Sequence, residues 1–311
     1  MTAAEFWRRL NTRATTRQPT MSAAIMRSYR QLADQMAPGE IEAYIRRGDV
    51  EGFVRNLLSE PVLNTAAAPL REALRTQVQD GVPYYGKMIT IAPEGRWATI
   101  AFDFLNPRVI DAIREMESKV IGGWKTGVRD VARAFVENGL RDGVNPRTTA
   151  RDLRSILGLS PTQEQAVANF RAALETGDKA KALSYGLRNR TFDAAIKRGE
   201  LTPAQIDRMS EAYRKRMVAF NAETQARTAS LDAQKLAQRL SWQDAVEKGV
   251  VDGSKLMKRW KGVMDDRERD EHIAMENETV PADDTFSNGE MTPGESTYNC
   301  RCVAIYFVAR G

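Results

Sequence analysis

The sequence has few of the residues that form disulfides or bind metals through imidazole, because its 311 residues include two cysteines and one histidine. A disulfide framework is therefore excluded. A nuclease of the His-Asn-His type, which needs more than one histidine, is disfavoured. The cysteines form a Cys-x-Cys pair, Cys300 and Cys302, in which a direct disulfide would be badly strained. This cysteine usage predicts a reducing compartment such as a bacterial cytoplasm.

Long apolar runs are also missing. No run approaches the roughly 20 residues that a helix needs to cross a bilayer. Residues 1–9 combine acidic and basic side chains without the apolar segment of a secretory signal. We therefore expect the protein to be made and used without crossing a membrane. The sequence also lacks the Gly-Lys loop that cradles phosphates, so we do not expect an ATP-driven motor.

The residues that are present describe an ordinary folded protein. The sequence is 42% hydrophobic, which permits a substantial core, and 28% charged. A net charge of +5 favours nucleic acid or an acidic partner only slightly, and it does not indicate specific DNA binding. The length suggests two domains, with one or three also compatible.

Residues 1–80 have apolar residues at helical spacing, which predicts short amphipathic helices. The stripe Ile25, Tyr29, Leu32 and Met36, for example, is followed by the helix-stopping pair Pro38-Gly39. Two interpretations of this region stay open. It forms either an ordinary helical subdomain or an arm that docks on a larger partner.

Residues 81–202 predict a β-hairpin followed by helices. Segments 88–91 and 97–102 are rich in β-branched and aromatic residues, and a Pro-Glu-Gly turn lies between them. Helix starts are then marked by a capping residue followed by proline. These pairs are Asn106-Pro107, Asn145-Pro146, Ser160-Pro161 and Thr202-Pro203. Gln163 also occupies the capping-box position.

Residues 203–311 predict a long helix to about residue 240, followed by strands at 255–263 and 303–308. The fold class is therefore mainly α, with a helical N-terminal and central region, a β-hairpin, and a small α+β C-terminal domain. We predict three regions. They are an N-terminal helical docking region (1–80), a hairpin plus helical domain (81–202), and a long helix with a C-terminal α+β module (203–311).

Polar residues are concentrated in residues 260–302, which contain the single histidine and both cysteines. His272, Cys300 and Cys302 are candidate ligands of zinc, with Asp265 or Asp270 as the fourth ligand. Their spacing differs from that of Cys-x-x-Cys zinc ribbons. We therefore favour a hydrogen-bonded structural cluster without a cofactor, and zinc remains the alternative. The expected members of this cluster are Trp260, Asp265, Arg267, Arg269, His272, Asn299, Cys300 and Cys302.

The side chains of this segment are better suited to stabilising a loop by hydrogen bonds than to catalysis. Arg267 and Arg269 can clamp carboxylates or backbone carbonyls bidentately, and Asn299 and His272 can bind loop backbone. Arg301 alternates with the cysteines, so we expect it to face the opposite side. A Cys-His nucleophile is formally present, but no oxyanion loop accompanies it. We predict no catalytic residue.

The order Trp-x4-Asp-x-Arg-x-Arg-x2-His from Trp260 to His272, followed by Asn-Cys-Arg-Cys at 299–302, resembles the Mu-type minor head proteins. These proteins of tailed phages are also called head morphogenesis proteins. The usual pattern has threonine where this sequence has Glu268. Residues 222–228 also resemble the family's helix that enters the terminal domain, which implies that Arg227 points into the polar cluster.

The resemblance implies a non-enzymatic structural protein of the virion. Such a protein would be assembled in the bacterial host cytoplasm, would associate with the portal vertex in few copies, and would lie in the capsid interior. Its roles would be head assembly and genome retention or delivery. The implied partners are the portal protein, the major capsid protein and, nonspecifically, packaged DNA. No small-molecule substrate is implied.

A basic run, Lys255, Lys258, Arg259 and Lys261, precedes the acidic run 265–271. It is either a solvated surface, which we favour, or a nonspecific contact with DNA. Two alternative functions therefore stay open. One is a metal-stabilised DNA-binding protein, and the other is a toxin or enzyme effector that uses the Cys-His cluster.

Overall fold

A computed structural model of the chain describes residues 3–89, 103–295, 297 and 300–309. The structure is 70% helical, with a small three-stranded antiparallel sheet near the C-terminus. This confirms the prediction of a mainly α protein with a small α+β C-terminal region. The predicted hairpin falls largely on residues 90–102, which lie outside the described residues, as does Asn299.

The helices are α1 Ala3–Gln35, α2 Pro38–Arg46, α3 Val50–Leu57, α4 Glu60–Ala66, α5 Ala68–Gly86, α6 Pro107–Arg141, α7 Pro146–Ile156, α8 Pro161–Glu175, α9 Lys179–Ser184, α10 Asp193–Arg198, α11 Pro203–Glu247 and α12 Asp270–Ala274. The strands are β1 Leu256–Lys261, β2 Thr279–Pro281 and β3 Val303–Val308. None of the described helices combines the length and the apolarity that a bilayer-spanning segment requires.

The first helix is long, which corrects the expectation that residues 1–80 form only short helices. α1 has 33 residues and contains Pro19 in its interior. Proline removes one backbone donor and usually kinks or ends a helix. Here the apolar stripe continues on both sides, with Leu10, Met21 and Leu32 fully buried. Their burial offsets the cost of the proline, so the helix continues to Gln35.

The predicted helix starts are confirmed by capping hydrogen bonds. At α8, Ser160 Oγ accepts from Gln163 N at 3.2 Å, and Gln163 Oε1 accepts from Ser160 N at 2.9 Å. The same reciprocal pair opens α11, where Thr202 and Gln205 exchange hydrogen bonds of 3.3 and 2.8 Å. Each pair satisfies backbone donors that the first turn of a helix leaves unpaired.

The sheet has the order β2-β1-β3, and both pairings are antiparallel. Lys258 lies opposite Tyr306, and Trp260 lies opposite Ala304. Burial alternates along β1, so Leu256, Lys258 and Trp260 face inward. The two predicted terminal strands are therefore confirmed, with β1 shorter than the predicted range 255–263.

Contacts divide the chain into two compact units, and neither is continuous in sequence. Unit 1 contains residues 1–21, 71–120 and 224–311, and unit 2 contains residues 22–70 and 121–223. The units differ from the three consecutive regions 1–80, 81–202 and 203–311, which stay a prediction. The physical reason is that the long helices α1, α6 and α11 each contribute residues to both units.

Each unit has its own apolar interior. In unit 2, α2 packs on α7, and the rings of Phe170, Tyr185 and Tyr213 form a cluster with centroids 4.6–5.6 Å apart. In unit 1, the sheet packs on the end of α11. Trp260 and Phe286 are among the fully buried members of that core, and both cysteines are buried in it as well. The candidate site therefore lies inside unit 1.

Candidate functional site

The thiols and the imidazole predicted to cluster lie at opposite ends of the segment between β1 and β3, residues 262–302. His272 lies on α12, near the start, and the cysteines immediately precede β3. In the structure the Nδ1 atom of His272 is 3.6 Å from Cys300 Sγ and 3.5 Å from Cys302 Sγ. Cys300, Cys302 and His272 are all buried, with Cys302 fully so. The loop thus brings three soft donors together in a solvent-excluded place.

A carboxylate joins these donors. Glu268 Oε1 is 3.2 Å from Cys302 Sγ and 3.4 Å from His272 Nδ1, and the Glu268 side chain is 4% exposed. Its second oxygen, Oε2, accepts a hydrogen bond of 3.0 Å from the Val263 backbone N–H. Glu268 precedes His272 by four residues and lies in the turn before α12, so the two side chains reach the same place.

Aromatic rings and glycines surround the cluster. The ring of Trp260 meets the His272 and Phe286 rings edge-on, with centroids 5.4 and 5.2 Å away. A Cβ atom at Gly262 would lie 3.7 Å from Cys302 Sγ, and one at Gly294 would lie 2.5 Å from Cys300 Cβ. Gly294 therefore permits the chain to approach the Cys300 side chain closely.

The two buried thiols hydrogen-bond to each other, so the pKa of one is lowered and the pKa of the other is raised. The hydrogen bond from Cys302 lowers the pKa of Cys300 to about 6 against the effect of burial, and the charge of Lys235 contributes further. The pKa of Cys302 is raised, first by its hydrogen bond to Cys300 and then by burial. Burial raises the pKa of Glu268, but hydrogen bonds from Val263 and Cys302 lower it more, so the net shift is downward.

Arg301 lies between the cysteines and binds a different group. Its guanidinium donates to both oxygens of Asp265, at 2.7 and 2.5 Å. This bidentate ion pair holds the pKa of the Asp265 carboxyl at about 2. The predicted opposite orientation of Arg301 explains this pairing, since residues one apart on an extended chain point to opposite sides. Both carboxylate oxygens of Asp265 are therefore hydrogen-bonded to Arg301.

Two buried lysines, one on α11 and one on β1, donate hydrogen bonds to the loop between β1 and β3. Lys235 of α11 donates to the Pro293 carbonyl at 2.7 Å, and Lys258 of β1 donates to the Met291 carbonyl at 2.8 Å. Lys258 also lies over the Phe286 ring, 5.1 Å from its centroid. Burial lowers the pKa of Lys258 to about 8. These contacts fix loop residues 291–294 against α11 and the sheet.

A comparison with protein-family models matches residues 168–305 to the family described as Phage Mu protein F like protein. The match covers 138 of the 311 residues, and over that stretch the chain is similar to this family. The match confirms the resemblance inferred from the motif at 260–302. No curated protein and no solved structure gives a significant match to the chain.

The Phage Mu protein F like region begins in α8 and ends in β3, so it includes α11, β1, β2 and the first half of β3. Glu268, where the resembling pattern usually has threonine, lies against the buried thiols. The arginines on either side of it, Arg267 and Arg269, are exposed, as is Asp270. The structure therefore brings together Trp260, His272 and the cysteines, and it leaves Arg267, Arg269 and Asp270 at the surface.

Arg227 is exposed on α11, so it does not point into the buried cluster as the resemblance implied. The cation of that helix that reaches the cluster is Lys235, which is eight residues further along. A helix advances about 12 Å over eight residues, and that displacement carries the side chain to the loop. Lys235 gave no motif signal, because a single lysine in a polar helix face is ordinary.

The basic run does not form one exposed surface, so the favoured interpretation of a solvated surface does not describe all four residues, and the DNA contact stays a prediction. Lys258 is fully buried, Lys261 forms an ion pair with Glu276, and Arg259 donates to Thr279 Oγ1 at 3.1 Å. Lys255 is exposed, and its ammonium lies 3.8 Å from Asp252. The reason is the alternation of β1, which turns neighbouring cations to opposite faces.

A cavity of about 500 Å³ in unit 1 lies elsewhere. It is lined by residues of α6, α11 and β1, including Arg108, Arg239 and Asp244. His272 and the cysteines do not line it. Since all three side chains are at most 6% exposed, the cluster suits bracing or ion binding better than reaction with a substrate.

Proposed function

We propose that this protein is a minor head protein of a tailed phage, acting without enzymatic activity in head assembly. The similarity of residues 168–305 to a phage head morphogenesis family supports a structural or assembly role in a phage head. The charge of +5 is compatible with a place near packaged DNA. The finer proposal is that it associates with the portal vertex, lies in the capsid interior, and acts in genome retention or delivery.

The observation that carries the structural role is the burial of the histidine and the two cysteines of the motif. His272, Cys300 and Cys302 are enclosed by Trp260 and Glu268 instead of lining an open cleft. A cysteine nucleophile must be reached by its substrate. These thiols are instead positioned to hold the loop, so a Cys-His effector is disfavoured and a scaffold is favoured.

The proposed partners are the portal protein and the major capsid protein, with DNA as a nonspecific contact. A head component must bind other head components, and the family match supports that general kind of interaction. Exposed arginines such as Arg267 have the charge and the planar donors that suit acidic partners or phosphates. Assembly in the host cytoplasm is proposed because both cysteines are free thiols.

The test combines affinity capture of the portal protein with a measurement of where the chain lies in the intact particle. We expect the full-length chain, co-expressed with the portal and major capsid proteins of the same phage, to retain the portal protein on affinity capture. We also expect quantitative mass spectrometry to find it in few copies per purified head. A protease should digest it only after heads are opened, with a surface decoration protein as the accessible control.

The proposal would be overturned if the chain were absent from purified heads and captured no portal protein under assembly conditions. Digestion in unopened heads would overturn the interior location. A matched variant, Arg267→Glu with Arg269→Glu, changes two exposed charges in the family motif. Its capture yield indicates whether the motif's surface arginines contribute to the portal contact.

A further inference from the structure

We propose that Cys300, Cys302, His272 and Glu268 form a closed, four-coordinate zinc site that fastens the two ends of the loop between β1 and β3. This goes beyond the assembly role, and it would hold or fail independently of it.

Three separations of the donor atoms match the edges of a zinc tetrahedron, whereas the Cys302 Sγ···Glu268 Oε1 distance of 3.2 Å is shorter than the corresponding S···O edge of about 3.6 Å. Zinc binds sulfur at about 2.3 Å and nitrogen or oxygen at about 2.0–2.2 Å, so tetrahedral N···S and N···O edges are about 3.6 and 3.4 Å. The observed Nδ1···Sγ distances are 3.6 and 3.5 Å, and the Nδ1···Oε1 distance is 3.4 Å. The ligand atoms of His272, Cys300 and Cys302 all lie within 4.8 Å of one another.

Hydrogen bonds alone cannot satisfy all the groups that approach the Nδ1 atom of His272. Nδ1 of His272 is a single atom with one lone pair or one proton, and so it makes one good hydrogen bond. Three groups nevertheless approach it at 3.4–3.6 Å: two thiols and the Glu268 carboxylate. A cation among His272, Cys300 and Cys302 would interact with all three of their ligand atoms at once, and Glu268 Oε1 lies beside two of those atoms.

Glu268 is well placed as the fourth ligand. Its Oε2 atom is already bound by the Val263 backbone N–H at 3.0 Å, which fixes the carboxylate. The Oε1 atom faces Cys302 and His272. Backbone hydrogen bonds that orient a ligand in this way are typical of built metal sites. The two residues that the sequence suggested as the fourth ligand do not reach the cluster. Asp265 binds Arg301, and Asp270 is exposed.

The chemistry and burial of the donors indicate zinc in a structural role. Thiolate and imidazole ligands favour zinc over magnesium or calcium, which prefer oxygen. A catalytic zinc keeps one position open to water, whereas a structural zinc is closed by four protein ligands. All four side chains here are at most 6% exposed. The ion would connect residues 268–272 to residues 300–302 and would limit the freedom of the loop between them.

The first experiment uses the untagged full-length chain, purified with a non-thiol reductant from zinc-supplemented culture. We expect about one zinc per chain by plasma mass spectrometry. Replacement by cobalt should give the intense d–d absorption of a tetrahedral ion and a sulfur-to-cobalt charge-transfer band. Less than about one zinc per ten chains, or a cobalt spectrum without a thiolate band, would overturn the site. Neither measurement requires a variant to fold.

The second experiment tests the fourth ligand with a matched pair of variants. Glu268→Gln and Glu276→Gln each retain an oxygen that can accept from the backbone, since Glu276 Oε2 accepts from Gly262 N at 2.7 Å. Only Glu268 faces the thiols. We expect Glu268→Gln to weaken zinc binding at least about 100-fold in a chelator competition, and Glu276→Gln to change it little. Equal binding by both variants would overturn the role of Glu268.

Discussion

Single residues hold the loop at positions where another size or charge would not fit. Gly294 has φ +81° and lies against Cys300, and Asp265 is held by both arms of the Arg301 guanidinium. Trp7 of α1 also donates to the Arg301 carbonyl at 3.3 Å. At this scale, backbone conformation and charge pairing decide what each position tolerates.

The Gly294→Ala substitution should destabilise the protein more than Gly289→Ala does. Both glycines have a positive φ, +81° and +83°, which costs an L-residue about 1–2 kcal/mol. A Cβ at Gly289 meets open space, whereas one at Gly294 meets Cys300 Cβ at 2.5 Å. We expect an additional loss of about 1–3 kcal/mol for Gly294→Ala. Denaturant unfolding of the two variants measures the difference, and equal losses would contradict the close approach.

The Asp265→Asn substitution should destabilise the protein at neutral pH and have little effect in acid. The Arg301 guanidinium holds the pKa of Asp265 at about 2, below the value of about 3.9 in an unfolded chain. The ion pair therefore contributes stability above pH ~4, and this contribution is lost as pH falls from ~4 to ~2.

The check is the difference in unfolding free energy between the native protein and Asp265→Asn, measured from pH 7 downward. The difference should shrink through that window. The exposed neighbour Asp266 provides the control variant Asp266→Asn. A difference that stays constant with pH, or that is equal for the two variants, would argue against the pairing.

At the scale of elements, helix starts are specified by local hydrogen bonds, while the sheet distributes charges by alternation. The Ser160–Gln163 pair opens α8, and the alternation of β1 buries Lys258 while Arg259 turns to the other face. Local devices of this kind act within a few residues. Their effects can therefore be tested one element at a time.

The Ser160→Ala substitution should lower the free energy of unfolding by about 1 kcal/mol, because it removes the side-chain acceptor for Gln163 N. The control is Thr162→Ala in the same first turn, at an exposed position. We expect that change to stay within about 0.5 kcal/mol. Chemical denaturation of both variants gives the comparison. A loss as large for Thr162→Ala would show that capping is not the cause.

At the scale of the whole molecule, the family region depends on parts of the chain that precede it. In unit 1, Gln77 donates to Ser230 Oγ at 3.3 Å, and Ser241 donates to the Val82 carbonyl at 2.9 Å. A Cβ at Gly81 would lie 2.6 Å from Ala237 Cβ, so α5 and α11 approach closely. The terminal sheet is thus part of a unit assembled from three separate stretches of sequence.

A fragment of residues 203–311 should therefore not unfold cooperatively on its own. It lacks α1 and α5, so the buried face of α11 that includes Ser230, Gln234 and Ala237 would be open to water. Calorimetry of the fragment and of the full chain makes the comparison. We expect a broad or absent transition for the fragment, and a sharp transition at the full-length temperature would contradict this account. Adding residues 1–120 as a second chain should restore part of the transition.

Sequence patterns alone determined the features that depend on short stretches of chain. The capping pairs at Ser160 and Thr202, the strand 303–308 and the opposite orientation of Arg301 all follow from spacings of a few residues. The family resemblance belongs here too, because its motif consists of two short runs, residues 260–272 and 299–302, that are read directly from the sequence. Local geometry is enough for these features, since hydrogen bonding and alternation repeat with a fixed period.

Tertiary structure alone decided which side chains became buried partners. Lys235 and Pro293 are 58 residues apart, and Glu268 faces thiols that follow it by more than 30 residues. The exposure of Arg227 and the burial of Lys258 were not predictable, because a charged side chain has the same local pattern in either place. Long-range packing of α11, the sheet and the loop determines whether a charge is paired in the interior or solvated.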